Sequence, residues 1–282
     1  MYDYDHTTSF ASGQPQGNPS TIFRAIISAL AASTASPKGI EINLRSNGWF
    51  ISDSAYLIHP RIESSLAPIL RNLKTLHLAI NTQDTQNLRR FLSTTPNVTW
   101  LRINGPPVTF GNFPPHQPFF DWLGRSSTSP TTVLLPLLDP YDTHPLQFQF
   151  VERLDLGNLT IVPEQLLKIA AKFAPSLRSL SLRRVRLVDV TTDIDQHVNP
   201  WVSFFSGVAR LPGINLRSFE LGLLSQQTYD HSPSDVFFGA DPGAGLRGSA
   251  AAVYKGDSTS ALIQKINQAM KTSFVSCTSN PP

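Results

Sequence analysis

Residues 177 to 187 read LRSLSLRRVRL. Leu177, Leu180, Leu182, Val185 and Leu187 recur at intervals too tight for one helix face and too regular for a loop, with Arg178, Arg183, Arg184 and Arg186 in the gaps. The same spacing fits VERLDLGNLTI, through Val151, Leu154, Leu156, Leu159 and Ile161, and LRSFELGLL, through Leu216, Phe219, Leu221 and Leu224. Upstream, LKTLHLAIN supplies Leu73, Leu76, Leu78 and Asn81, and VTWLRINGPPV supplies Val98, Leu101, Ile103 and Val108. A weaker copy, GIEINLRSN, has Gly39 in first place, then Ile42, Leu44 and Asn47. The first positions fall at 39, 73, 98, 151, 177 and 216, at intervals of 34, 25, 53, 26 and 39. Two intervals are near 26, and the others carry insertions.

The frame is L-x-x-L-x-L-x-x-(N/C)-x-L, the pattern of leucine-rich repeats, with Val185 at the Asn/Cys position of the opening stretch. Between the copies the apolar period changes from alternation to helical spacing. In VPEQLLKIAAKFAPS, Pro163 suits the first helical position, and Leu166, Leu167, Ala170 and Phe173 share a face that Lys168 and Lys172 avoid. In NPWVSFFSGVARLPG, Asn199 is the expected N-cap, Pro200 follows it, Trp201, Phe204, Phe205 and Val208 form the apolar stripe, and Gly213 terminates. DTQNLRRFLSTTP reads as a shorter helix opened by Asp84, and HPRIESSLAPILRN as one interrupted by Pro68. Each strand and helix unit can bury its apolar side only against its neighbours. The expected fold is therefore α/β, a leucine-rich-repeat solenoid with parallel strands on the concave face and helices on the convex face.

The repeat domain spans residues 20–272. Residues 104–149 depart from the pattern as an inserted rim loop holding a short helix around Phe119 to Leu123. Residues 250–272, with Asp257 capping and Leu262, Ile263, Ile266 and Met270 apolar, read as a last strand and helix closing the stack. Residues 1–19 and 273–282 are polar and rich in small residues and proline, and read as disordered tails.

Composition narrows the function classes. Of 282 residues, 40% are hydrophobic and 15% charged, a globular balance, while 23 prolines point to long loops. A net charge of +3 is too small for a nucleic-acid footprint. The single cysteine, Cys277, excludes a disulfide framework and a cysteine-based metal cluster, which suits a reducing compartment. The polar, acidic start MYDYDHTTSF is no export signal, and TIFRAIISALAASTA, broken by Arg24, is too short to span a bilayer. The expected location is cytoplasmic or nuclear, and the sequons at Asn97 and Asn158 are chance matches.

No motif carries an enzyme. GAGLRG at 243–248 matches G-x-G-x-x-G but lacks the following helix and the distant acidic residue of a dinucleotide site. Asp189, Asp193 and Asp195 cluster without the frame of a calcium loop. His6, His59, His77, His116, His144, His197 and His231 are scattered, none at metal-binding spacing, and read as surface residues. No serine sits in a nucleophile elbow, and Cys277 has no recognisable partner. Neither catalysis, a cofactor nor a metal is expected; the rival class is a nucleotide-dependent α/β enzyme using GAGLRG.

Trp49, Trp122 and Trp201 follow core spacing, but Trp100 takes an outward position of its strand. Side chains alternate along a strand, so the outward positions of neighbouring strands share one surface. They are Thr75, His77, Trp100, Arg102, Arg153, Asp155, Ser179, Ser181, Arg183, Ser218 and Glu220, the expected binding face. Arg178, Arg184 and Arg186 should fall at strand edges or in the following turn. Mixed charge with one tryptophan suits a protein partner better than nucleic acid or a membrane.

LKTLHL, LRRFLSTTPNVTWLRI, FFDWL, FVERLDLGNLTIVPEQLLKIAAKFAPSLRSLSLRRVRL and LPGINLRSFELG together resemble the leucine-rich-repeat region of fungal F-box-type proteins. The resemblance covers roughly residues 20–272 and is most specific over 150–187. It implies a substrate-binding repeat region of a ubiquitin-ligase receptor. In that family an F-box docks to a cullin-ligase adaptor, but residues 1–38 do not match the Leu-Pro-opening F-box motif. The expectation is thus a protein-protein interaction module, with the adaptor as partner only where an F-box is encoded elsewhere, or else a free-standing scaffold.

Overall fold

The computed structural model describes residues 18–42, 51–80, 85–105, 117–126, 148–188, 199–227, 234–236, 238 and 251–278. Several expectations lie outside these residues: those on Leu44, Asn47, Trp49, Asn81, Asp84 and Val108, the GAGLRG segment, the aspartates at 189, 193 and 195, five of the histidines, most of the insertion, and the side chain of Cys277.

Strands β1 (Gly39–Glu41), β2 (Thr75–Ala79), β3 (Trp100–Asn104), β4 (Arg153–Ile161), β5 (Ser179–Val188) and β6 (Ser218–Gly222) lie side by side in chain order, all parallel. β7 (Ser225–Gln227) adds to the second half of β5 and pairs with β8 (Ser234–Asp235). β9 (Ala251–Lys255) pairs with β6 at the far edge. This last strand runs antiparallel, so the terminal unit reverses the direction that the repeat would give it. The product is a mostly parallel, open α/β sheet.

The apolar frame sets the register. Leu76, Leu101, Leu154, Leu180 and Phe219 are successive Cα partners, and so are Leu78, Ile103, Leu156, Leu182 and Leu221. All ten are buried. Each side chain of this size contributes about 1.5–3 kcal/mol when withdrawn from water, so a slip of one residue would turn the whole set to solvent. The first copy is the exception. Ile40, not Ile42, is the partner of Leu76, a shift of two residues from the expected frame. A two-residue shift keeps the same side inward, so alternation alone cannot distinguish the two registers.

Strict alternation would turn residue 158 inward after Leu156; instead Leu159 and Ile161 are buried. Asn158 absorbs the change with φ of 52°, in the left-handed region. Arg184 on β5 (φ 53°) and Leu223 after β6 (φ 52°) occupy the same place between paired positions and do the same, sending Val185 and Leu224 into the core. Arg184 therefore lies within β5, which continues to Val188, and Arg186 lies in its second half with Nε 3.4 Å from Ser225 Oγ. Arg178 does precede the strand, as expected.

Helices α1 (Pro19–Ala32), α2 (Pro60–Arg71), α3 (Gln86–Ser93), α4 (Gln117–Gly124), α5 (Pro163–Phe173), α6 (Pro200–Ala209) and α7 (Thr259–Thr278) cover the leucine face. α1 meets α2, and α4, α5, α6 and α7 pack in succession. Asn199 Oδ1 accepts from the N–H groups of Trp201 and Val202, making it the N-cap of α6, and Trp122 and Trp201 are buried. Four details differ from expectation. Pro68 does not interrupt α2, because it lies on the exposed side, where the carbonyl deprived of its partner can turn to water. On α5, Gln165 and Ile169 are buried and Leu167 only half so, while Lys172 carries its ammonium into the protein. The N-terminus of α7 is capped by Ser258, whose Oγ accepts from Ala261 N at 3.3 Å, leaving Asp257 exposed. Finally, α7 runs past residue 272, and α1 already begins at Pro19.

α3 has a cap from far away in sequence. Asp53, in a 3-10 turn at Asp53–Tyr56, accepts from Asn87 N at 3.0 Å and Asn87 Nδ2 at 2.8 Å through one oxygen, and from Leu88 N at 2.9 Å through the other. Beneath it Phe23, Tyr56 and Phe91 form a three-ring cluster with centroids 5.1–5.9 Å apart. The enclosed Tyr56 hydroxyl donates to Ala79 O at 3.2 Å, and burial pushes its pKa well up. No helix among the described residues is long and apolar enough to cross a membrane.

Candidate binding face

The sheet face opposite the helices carries two rows of side chains. In the first, Thr75, Trp100, Arg153, Ser179 and Ser218 are register partners; in the second, His77, Arg102, Asp155, Ser181 and Glu220. All eleven expected residues except Arg183, which stands one position further along β5, belong to these rows. Neighbouring strands lie about 4.8 Å apart, so long side chains in adjacent rows meet.

Asp155 is the hub. It is only 3% exposed, and a carboxylate so enclosed requires compensation. Arg153 Nε donates to its Oδ1 at 2.9 Å, Trp100 Nε1 donates to its Oδ2 at 3.0 Å, and Arg102 Nε stands 3.7 Å from Oδ2. Arg153 also reaches Glu220, Nη2 to Oε2 at 3.4 Å, and its guanidinium lies 4.4 Å from the centroid of the Trp100 ring. Burial pulls the Arg153 pKa down, but the Asp155 hydrogen bond and the Asp155 and Glu220 charges outweigh it and raise the pKa overall. The indole is thus clamped by a cation on its face and a carboxylate at its N–H, leaving a half-buried aromatic platform of fixed orientation.

His77 departs from its expected role as a surface residue. It is 4% exposed, its ring edge-on to Trp100 at 4.5 Å between centroids. Glu41 Oε1 lies 3.3 Å from its Nδ1, within ion-pair range but off the line a hydrogen bond needs, so both ring nitrogens are buried without a hydrogen-bond partner. Ser181 is also buried, at 2%. Three of the eleven residues therefore support the face from beneath: His77, Asp155 and Ser181. Thr75, Trp100, Arg102, Arg153, Ser179, Ser218 and Glu220 are half-buried, and Arg183 is exposed.

Of the next row the expected face includes only Arg183, and it omits the edge. Asn104 folds over Gly157, where its Oδ1 occupies the space a Cβ would take, and Arg183 lies across Gly222, with Cγ 3.7 Å and Nε 3.8 Å from a Cβ built there. These glycines accept side chains from the neighbouring strand, and extending the alternation by two residues would have found them. Glu41 is outward in either frame of the first copy, and the expected face omits it because that weaker copy supplies none of its residues.

The face combines an oriented indole, shared charges and the exposed guanidinium of Arg183, which has no carboxylate within 4.0 Å among the described residues. No group of three or more His, Cys, Asp or Glu among the described residues could hold a metal ion. No family model matches the chain, and no curated protein is significantly similar to it.

Proposed function

We propose that this chain is a leucine-rich-repeat solenoid that binds another protein on the open face of its sheet. The repeat reading is supported by five frames meeting in register and by the left-handed residue that recurs at one position in three successive units. The binding reading is carried by one observation, the Trp100 platform fixed by Arg153 and Asp155. Solenoids use such faces for binding, and rigid aromatic groups beside arginine are frequent anchors. The rows are too mixed in charge for a polyanion, which favours a protein partner.

Affinity capture from cell extract tests this. Trp100→Ala and Arg183→Glu should each lose the partner that the wild-type chain retains, while Leu57→Ser, at an exposed site off the face, should keep it. Equal capture by all four proteins would refute the assignment. The resemblance to F-box-type repeat regions adds the reading that the bound protein is a ubiquitination substrate. Retention of a purified cullin-ligase adaptor by the chain supports a receptor role; failure to retain it favours a free-standing scaffold.

A further inference from the structure

Each strand from β1 to β6 is entered through one residue, in order Lys38, Lys74, Thr99, Glu152, Arg178 and Arg217. The carbonyl of each of the first five accepts two successive N–H groups from the next unit: Lys38 O takes those of Lys74 and Thr75 at 2.7 and 3.1 Å, and Arg178 O those of Arg217 and Ser218 at 2.8 and 3.2 Å. This bonding aligns the six residues along one rim of the sheet, about 4.8 Å apart and so about 24 Å from first to last. Four are cations. Lys38, Lys74 and Arg217 are exposed and Arg178 half so, and among the described residues none of the four has a carboxylate within 4.0 Å.

Two helices return to the same rim, bringing exposed Arg71 at the end of α2 and Arg210 just after α6. Attraction to the helix dipole accounts for a cation at a helix C-terminus. It does not account for cations that precede strands, since sheets have only a small net dipole. Near the middle of the rim, two residues before Glu152, Phe150 is 51% exposed while Phe148 is buried. An exposed aromatic near the middle of a rim with Lys38 and Lys74 toward one end and Arg178 and Arg217 toward the other has the composition of an interface centre, with an apolar anchor and a charged surround. A nucleic-acid backbone is the poorer fit, because Glu152 interrupts the stripe and single-strand binding would want a row of aromatic platforms.

We infer that the rim where the strands begin is a second interaction surface, which takes an acidic protein segment whose apolar side chain covers Phe150. It is separate from the open sheet face, and either surface can fail experimentally without the other.

The test uses an array of short Asp- and Glu-rich peptides, each with one Leu or Phe at a varied position, probed with the full chain, and a fluorescent DNA duplex as the competing polyanion. Wild type should retain acidic peptides in a salt-sensitive manner, those with the apolar residue most tightly. Phe150→Ser and the double reversal Lys74→Glu with Arg178→Glu should each weaken binding by about tenfold or more. Trp100→Ala should leave it unchanged, and matching thermal melts of the rim variants and wild type show that the fold is retained. Retention of no acidic peptide, equal binding by Phe150→Ser, or duplex DNA bound as tightly as the best peptide would each overturn the inference.

Discussion

A carboxylate as enclosed as Asp155 persists in a sheet because it accepts two hydrogen bonds and has the Arg102 guanidinium close by. Removing it deprives Arg153 Nε and the indole N–H of their acceptor, while Arg153 Nη2 keeps Glu220. Because Arg153 is 34% exposed and partly solvated, the expected cost of Asp155→Ala is about 2–3 kcal/mol, below the full cost of breaking a buried pair. Urea denaturation measures it, and a loss under about 0.5 kcal/mol would show that the cluster does not stabilise the fold. The left-handed residues give a prediction of the opposite sign. A side chain at φ near +52° costs about 1–2 kcal/mol relative to glycine, which recovers about 0.5–1 kcal/mol of that in unfolded-chain entropy. Leu223 is 53% exposed and little is lost with its side chain, so Leu223→Gly should raise stability by about 0.5–1 kcal/mol in the same assay. Little of this was legible in the sequence. Asn158 is a residue type that tolerates the conformation, but nothing local marks Arg184 or Leu223, whose geometry is imposed by alignment with the neighbouring unit.

Among the elements, α3 shows how tertiary structure replaces a local signal. Its N-cap position, Thr85, makes no side-chain capping bond, and Asp53 serves the first turn from 34 residues away. Capping rules look only at the residues just before a helix, so they could not find Asp53. Asp53→Ala should cost about 1–2 kcal/mol and speed hydrogen exchange at Asn87 and Leu88, with little change at α6, which has its own cap in Asn199. α5 was legible as an amphipathic helix, yet Lys172 at its end was misplaced. Burial, and secondarily the charge of Arg125, pull the Lys172 pKa down to about 8 from 10.5. Between these values the unfolded chain holds a proton that the native protein has released, so stability should rise with pH from about 8 toward 10. Above about 10 the tyrosines oppose the trend, because burial raises the pKa of Tyr56 and Tyr254 and favours their protonated, native form. Lys172→Met should flatten the rise in denaturation midpoints between pH 8 and 10; an unchanged slope would place its source elsewhere.

For the whole molecule, the apolar frame was a good guide wherever two or more copies could be compared. Five frames meet with Leu76, Leu101, Leu154, Leu180 and Phe219 in one row, although insertions of uneven length separate them in sequence. Insertions leave the register intact because each strand is aligned by its own inward residues and not by its distance from the last. The frame failed at β1, which has a single neighbour and three paired residues to specify it, and it could not reveal that β9 reverses direction. The outward face was legible as a set of positions, but its layering was not: the burial of His77, packed edge-on to Trp100, and of Ser181 is a property of the assembled rows. Five of the six rim residues, Lys74, Thr99, Glu152, Arg178 and Arg217, follow the first apolar position of their frames, whereas Lys38 falls outside the expected frame of the first copy, and only the bonding between units shows the six to be contiguous.

The account depends on strands that follow one another in chain order across a single parallel sheet. Pulsed electron spin resonance between nitroxides at Thr75→Cys and Ser218→Cys, with Cys277→Ser, tests that order directly. Four strand steps of about 4.8 Å predict backbone positions about 19 Å apart, and moving the second label to Ser179 should shorten the distance by about one step. A distance unchanged or longer on that move, or a broad distribution centred well beyond the predicted span, would contradict the arrangement and both proposals built on it.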